Sequence, residues 1–187
     1  MEITRELAAK VLETVDAGLA AGVGEPIPGQ MCVEAAVCYA MGLPHGDQPS
    51  CVSPAVRAFK IVLNDAEWSS PLARAKGMRR LAIAQLGSAG VLYDVEFANR
   101  LAVWANYVVV PRAAKYAEYA AKYAKYAKYA ATAAGYAARD AAEYAAKYAA
   151  GDVAQDAALS LAAEEGVQIL VGMGAPGCAF LDLAPLE

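Results

Sequence analysis

The chain has 187 residues, with 16 Lys and Arg against 20 Asp and Glu and a formal net charge of -4. That balance argues against a protein that grips nucleic acid through a basic face, and no run reaches the roughly 18–20 consecutive apolar residues of a membrane span. Hydrophobic residues make up 58% of the chain, but much of that share is alanine, so the figure overstates the bulky apolar surface. The length suits one domain able to bury a core without disulfide staples.

The N-terminus is charged (Glu2, Arg5, Glu6) and shows no secretory pattern. A cytoplasmic location and reduced thiols are therefore expected. Leu7, Val11 and Val15 recur at helical spacing, with Leu12 and Leu19 alongside, which predicts a first helix over residues 3–21 closed by Gly22 and Gly24. Glu25, Pro26, Pro28 and Gly29 form a stiff connection. Residues 30–41 read as a second helix whose centre is apolar on nearly every side, the mark of a buried helix. Gly42 stops it, and residues 43–50 are a loop rich in turn formers.

Ser53-Pro54 and Ser70-Pro71 are two strong helix starts. In each the serine caps, and the proline occupies the first position, where its missing N–H costs nothing. The first predicts a helix to about Leu63 carried by Val56, Phe59, Lys60 and Leu63, closed by Asn64 and Asp65. The second predicts a helix over residues 72–86 that buries Met78, Leu81, Ile83 and Leu86, with Arg74, Lys76, Arg79 and Arg80 as a solvated polar face. Asp94 is placed to cap a fifth helix running to Tyr107, with a kink at Pro111. Residues 153–170 form a further helix in which Gly166 is a weak point. Gly172, Gly174, Pro176 and Gly177 end it, and residues 178–183 read as an apolar tail docked on the core.

Residues 112–150 are almost entirely Ala, Tyr and Lys, with strong helix formers throughout. Tyr116, Tyr119, Tyr123 and Tyr126 fall on one side of a helix, Lys122 lies beyond them, and alanines form a smooth ridge that allows close packing. A continuous helix of this length spans roughly 57 Å. Its ordinary role is packing, against the next helix or a sister chain. The sharper alternative is a Tyr/Lys face for a ligand, since tyrosine can bury its ring and keep its hydroxyl wet.

Cys32, Cys38, His45 and Cys51 form the chemical block. Cys32 lies near a helix N-terminus, where the dipole favours a thiolate. With Gln30 as an oxyanion donor, His45 as base and Asp47 to orient it, these residues make the parts list of a thiol hydrolase. Three thiols and an imidazole also match a Cys3His zinc set, although Cys32 and Cys38 point about 120° apart on one helix. Buried structural cysteine is the ordinary alternative, and for His45 and Asp47 it is a turn. Trp68, beside Asn64, Asp65 and Glu67, either lines a small pocket or covers a helix junction.

The stretches Cys32-Val33-Glu34-Ala35-Ala36-Val37-Cys38, Pro44-His45-Gly46-Asp47, residues 63–70 and residues 81–88 resemble a group of phage and bacterial proteins that pair such a block with an Ala-rich tail. The resemblance covers about residues 20–112 and 174–183. It implies a phage or mobile-element origin and no particular chemistry. The regular Tyr-Ala-Lys repeats depart from that group and also fit an engineered member. Together these readings give an all-α protein: a compact helical region over residues 1–111, then residues 112–187 with the long Ala/Tyr-rich helix, a following helix and a short irregular tail. The expected function is non-enzymatic binding of a protein partner, or self-association through the Ala/Tyr helix, without a cofactor. A counter-defence role is a special case of it, and a Cys32/His45 hydrolase and a zinc-stabilised domain are the alternatives.

Overall fold

The computed structural model describes residues 2–108 and 152–186. Within them the fold is all-α: α1 (Arg5–Asp16), α2 (Val33–Ala40), α3 (Pro54–Asn64), α4 (Pro71–Ala84), α5 (Asp94–Val108), α6 (Asp152–Gly172) and a closing 3-10 helix (Pro176–Leu183). No strand occurs among the described residues, where the only β-type pairing is an isolated antiparallel bridge between Gly24 and Met31. The Ala/Tyr-rich segment and Pro111 lie outside the described residues.

The helix starts follow from local chemistry. Thr4 Oγ1 accepts from Leu7 N at 3.3 Å, Ser53 Oγ from Val56 N at 3.3 Å, and Ser70 Oγ from Ala73 N at 3.0 Å. Each fills a donor that the first turn leaves without a partner. Two boundaries differ from the pattern-based expectation. α1 stops at Asp16, not at 21, because Gly18 turns the backbone at φ 115° and the next amides leave the helix. Leu19 N donates to Pro71 O at 3.1 Å and Ala20 N to Met31 O at 2.9 Å. α2 starts at Val33, not at 30, because residue 31 is held in the bridge to Gly24. Asp94 is the first residue of α5 rather than its cap. Tyr93 O accepts from Phe97 N at 3.1 Å, and the Asp94 carboxylate instead accepts from Ser53 Oγ at 2.5 Å.

α4 is the central element, packed against α1, α2, α6 and the 3-10 helix. α3 packs on α2, α5 and α6, and Phe59 meets Phe97 edge to face with ring centroids 6.1 Å apart. One apolar core runs through all of these elements, from Ala8 to Ala184. The three arginines of α4 are therefore not a solvated face, although Lys76 is exposed. Arg74 is buried and donates to Leu19 O at 2.8 Å, Arg79 pairs with Asp16 at 2.9 Å, and Arg80 pairs with Glu164 at 2.9 Å. The tail docks as its composition suggests, but as a 3-10 helix rather than an irregular segment: Gly177 N donates to Leu86 O at 2.8 Å and Arg80 Nη1 to Ala184 O at 2.6 Å.

Trp68 covers the junction between α3 and α4, donating from Nε1 to Leu63 O at 2.8 Å. Its ring lies against Gly77, and α6 crosses on the other side. A Cβ at Gly77 would sit 2.4 Å from the Trp68 ring and 2.7 Å from Ser160 Oγ. Gly166 does the same for α6, where a Cβ would meet Phe59 Cε1 at 2.8 Å. The glycine that looks like a weak point in the helical pattern is the place where α6 approaches α3. Alanine at a helix interior is worth about 1 kcal/mol over glycine, but overpacking a filled core costs about 1–3 kcal/mol. Gly77→Ala faces a rigid indole, so steric cost wins. Chemical denaturation should show a net loss of about 1–2 kcal/mol; a gain would mean that the Trp68 contact is not filled.

Candidate functional site

The region around the N-terminus of α2 holds the chain's chemically distinctive residues. Cys32 is the N-cap of α2, with extended backbone, and its Sγ accepts from Ala35 N at 3.3 Å. Val33 N is taken by Asn64 Oδ1 at 3.2 Å, which ties α2 to the end of α3. Asn64 Nδ2 in turn donates to Ala20 O and to Asp65 Oδ1, both at 2.9 Å. The next residue, Glu34, is fully buried.

Opposite Glu34 stands Lys60 of α3, also fully buried, with Nζ 3.1 Å from Glu34 Oε1. Beyond this ion pair, neither Glu34 oxygen nor Lys60 Nζ has a hydrogen-bond partner among the described residues. Burial raises the Glu34 carboxyl above its ordinary range, and the Lys60 charge only partly offsets it. Burial lowers Lys60 in the same way, opposed by Glu34. Each shift points toward the neutral form, as expected for ions taken out of water. Neither residue stands out in the sequence as functional. The available signal is that each is a charge within an otherwise apolar stripe.

The three cysteines of this block surround the pair electrostatically, and all of them are buried thiols without a disulfide. Burial raises Cys32, with the Ala35 and Glu34 backbone amides pulling the other way, so desolvation outweighs the helix N-terminus. Cys38 is pushed up to about 11, first by burial and then by the Glu34 charge, and burial also raises Cys51. Cys51 Sγ lies 3.5 Å from Met41 Sδ, a contact typical of a thiol used as a small apolar group.

The residues read as partners of Cys32 are engaged elsewhere. His45 is exposed, with Nε2 2.9 Å from Gly24 O. Asp47 pairs with Arg57 at 2.9 Å, and the same guanidinium donates to the Asp47 carbonyl. Gln30 is an exposed turn residue whose backbone N donates to Ile27 O at 2.9 Å. No hydrogen bond joins Cys32, His45, Asp47 and Gln30 to one another among the described residues. No group of three or more His, Cys, Asp or Glu side chains there is placed to hold a metal ion. Tyr116, Tyr119, Tyr123, Tyr126 and Lys122 lie outside the described residues, and Trp68 is buried at its junction.

A surface groove of about 420 Å³ lies between α4 and α6, with Pro185 and Leu186 of the tail also lining it. Gly77, Leu81, Ala157 and Ala163 form its mainly apolar floor. At its rim, Arg79 is held by Asp16, Arg80 by Glu164, and Asp156 by Ser69. The rim is thus locked by internal pairs, and the groove offers shape and apolar surface rather than a reactive group. Among the described residues no helix is long and apolar enough to cross a membrane. No family model, curated protein or solved structure matches the chain.

Two outcomes follow from this chemistry. Lys60→Met alone leaves Glu34 buried without its counter-charge and should cost about 3–5 kcal/mol in urea unfolding, whereas Glu34→Leu with Lys60→Met should recover most of that loss. Equal losses in the single and double variants would show that Lys60 acts through packing alone. Cys178 is half-buried beside α4, and burial pushes it up to about 11 against the opposing Arg80 charge. A raised thiol holds less thiolate at neutral pH, so its alkylation by iodoacetamide at pH 7 should run on the order of a hundredfold below an unperturbed cysteine. The rate, followed by peptide mass mapping, should climb as pH approaches that value.

Proposed function

We propose that the chain is a helical binding protein that accepts an apolar segment of a protein partner in the groove between α4 and α6. The carrying observation is the groove itself: an apolar floor beneath charges already paired with one another. Apolar surface between helices is where a partner helix or extended segment anchors its side chains. The satisfied rim means that docking need not break into unpaired charge, so affinity would come from buried area and shape.

The thiol chemistry supports the same reading from the other side. A nucleophilic cysteine needs a lowered pKa or an adjacent base. Here Cys32 is raised by burial and its sulfur serves as a helix cap, while His45 is engaged with Gly24 O. The resemblance of residues 20–112 to phage and bacterial proteins supports a phage or mobile-element setting, and a counter-defence role is the form of partner binding that this setting favours.

The test is a photo-crosslinking amino acid at position 186, which lines the groove and is exposed. In cells the full chain should give one dominant protein adduct, identifiable by mass spectrometry. Ala157→Trp, which fills the floor from an exposed position, should cut the adduct yield at least tenfold while the far-ultraviolet spectrum stays that of the parent. An adduct indifferent to Ala157→Trp would remove the groove from the binding surface. A hydrolytic activity lost in Cys32→Ser would replace the proposal with the thiol reading.

A further inference from the structure

A second surface groove, of about 530 Å³, lies where α5 packs on α6. It shares no described lining residue with the α4–α6 groove. Val103 and Trp104 of α5 and Ile169 of α6 give it apolar surface, with Val103 55% exposed and Trp104 half-buried. Most of the charge around it is already paired. Arg100 is held by Glu96, and Gln168 Nε2 donates at 2.8 Å to Glu164, the carboxylate that Arg80 also holds. Glu165 is the exception. Its half-buried carboxyl makes no hydrogen bond or ion pair among the described residues. Burial, and then the neighbouring Glu164 charge, raise it above the ordinary carboxyl range.

That lining selects its occupant by charge. An anionic group would meet both Glu165 and Glu96. A wholly apolar segment would cover Glu165 with hydrocarbon and offer nothing for its lost hydration. A metal ion finds no group of three ligating side chains among the described residues. A long aliphatic stem with a cationic head meets both demands of the groove. The stem covers the apolar wall, the head favours the ionised carboxylate that burial disfavours, and the face of an indole also attracts a cation. We propose that the α5–α6 groove docks a lysine- or arginine-bearing segment of a partner protein, whose stem covers Val103 and Trp104 and whose cation pairs with Glu165. One basic residue suffices, because Arg100 and Glu96 already neutralise each other. The proposal stands whether or not the α4–α6 groove takes a partner.

The test places a photo-crosslinking amino acid at position 103 of the full chain, expressed in cells. Mass spectrometry should map the adduct to a partner segment with a lysine or arginine close to the link. Glu165→Gln should lower the yield by about threefold and Glu165→Lys by about tenfold or more, with the far-ultraviolet spectrum and Tm of the parent. Ala157→Trp, in the other groove, should leave this adduct unchanged. Replacing the mapped basic residue of the partner by glutamate should restore the yield against Glu165→Lys, a charge-swap rescue that a purely structural role of Glu165 could not give. An adduct indifferent to the charge at position 165, or mapped to an apolar or acidic segment, overturns the proposal. So does an adduct to this chain itself, in the same copy or a second one, and so does the absence of any adduct.

Discussion

The fold depends on how one central helix disposes of its charge. α4 is packed on by α1, α2, α6 and the closing 3-10 helix, yet three arginines sit along it. A guanidinium cannot shed its charge, so each must reach an acceptor before its helix can be enclosed. Arg74 reaches back to Leu19 O, just after α1, and toward Ala66 O; Arg79 takes Asp16 at the end of α1; Arg80 takes Glu164 of α6 and Ala184 O of the tail. The three arginines tie the end of α1, the approach to α4, α6 and the tail to one helix. Arg80 alone joins elements more than eighty residues apart.

Two glycines make that enclosure tight. Gly77 lets the Trp68 ring and α6 close on α4, and Gly166 lets Phe59 of α3 close on α6. The apolar core and the charged contacts therefore reinforce each other. The arginines fix which neighbours surround α4, and the glycines let those neighbours come close enough to exclude water. The groove between α4 and α6 includes Gly77 in its lining, so the residue that lets Trp68 and α6 approach α4 also borders the groove.

Much of this was legible locally. The Ser53-Pro54 and Ser70-Pro71 starts, the all-round apolar character of α2 and the docked tail each follow from chemistry within a few residues. What was not legible depends on partners distant in sequence. Arginines on α4 fit a solvated helical face until Asp16 and Glu164 are brought beside them. Gly166 looks like a flaw in a helix until Phe59 is placed against it. In the chemical block, spacing put Cys32, His45 and Asp47 in one short stretch, but Gly24 and Arg57 claim the histidine and the aspartate. Lys60 falls on the apolar pattern of α3 with Val56, Phe59 and Leu63, but a lysine there ordinarily snorkels to water; only tertiary packing brings Glu34 opposite it and shows that both are buried.

The Glu34–Lys60 pair is the least economical feature of the fold. A well-packed apolar pair of the same volume would generally be as stable or more so, and both groups resist ionisation where they stand. Its geometric effect, however, is specific. The apolar α2 has no other charge with which to choose its rotation against α3; apart from the exposed Tyr39, its side chains are valines, alanines and a cysteine, all buried. Rotating α2 by one residue would move Glu34 about 100° away from Lys60, leaving two buried charges uncompensated, a penalty no apolar face could impose. Cys32 at the cap and Asn64 on the Val33 amide hold the same register from the helix end. The pair thus adds a penalty for misrotating α2 to the register that Cys32, Asn64 and the exposed Tyr39 already favour.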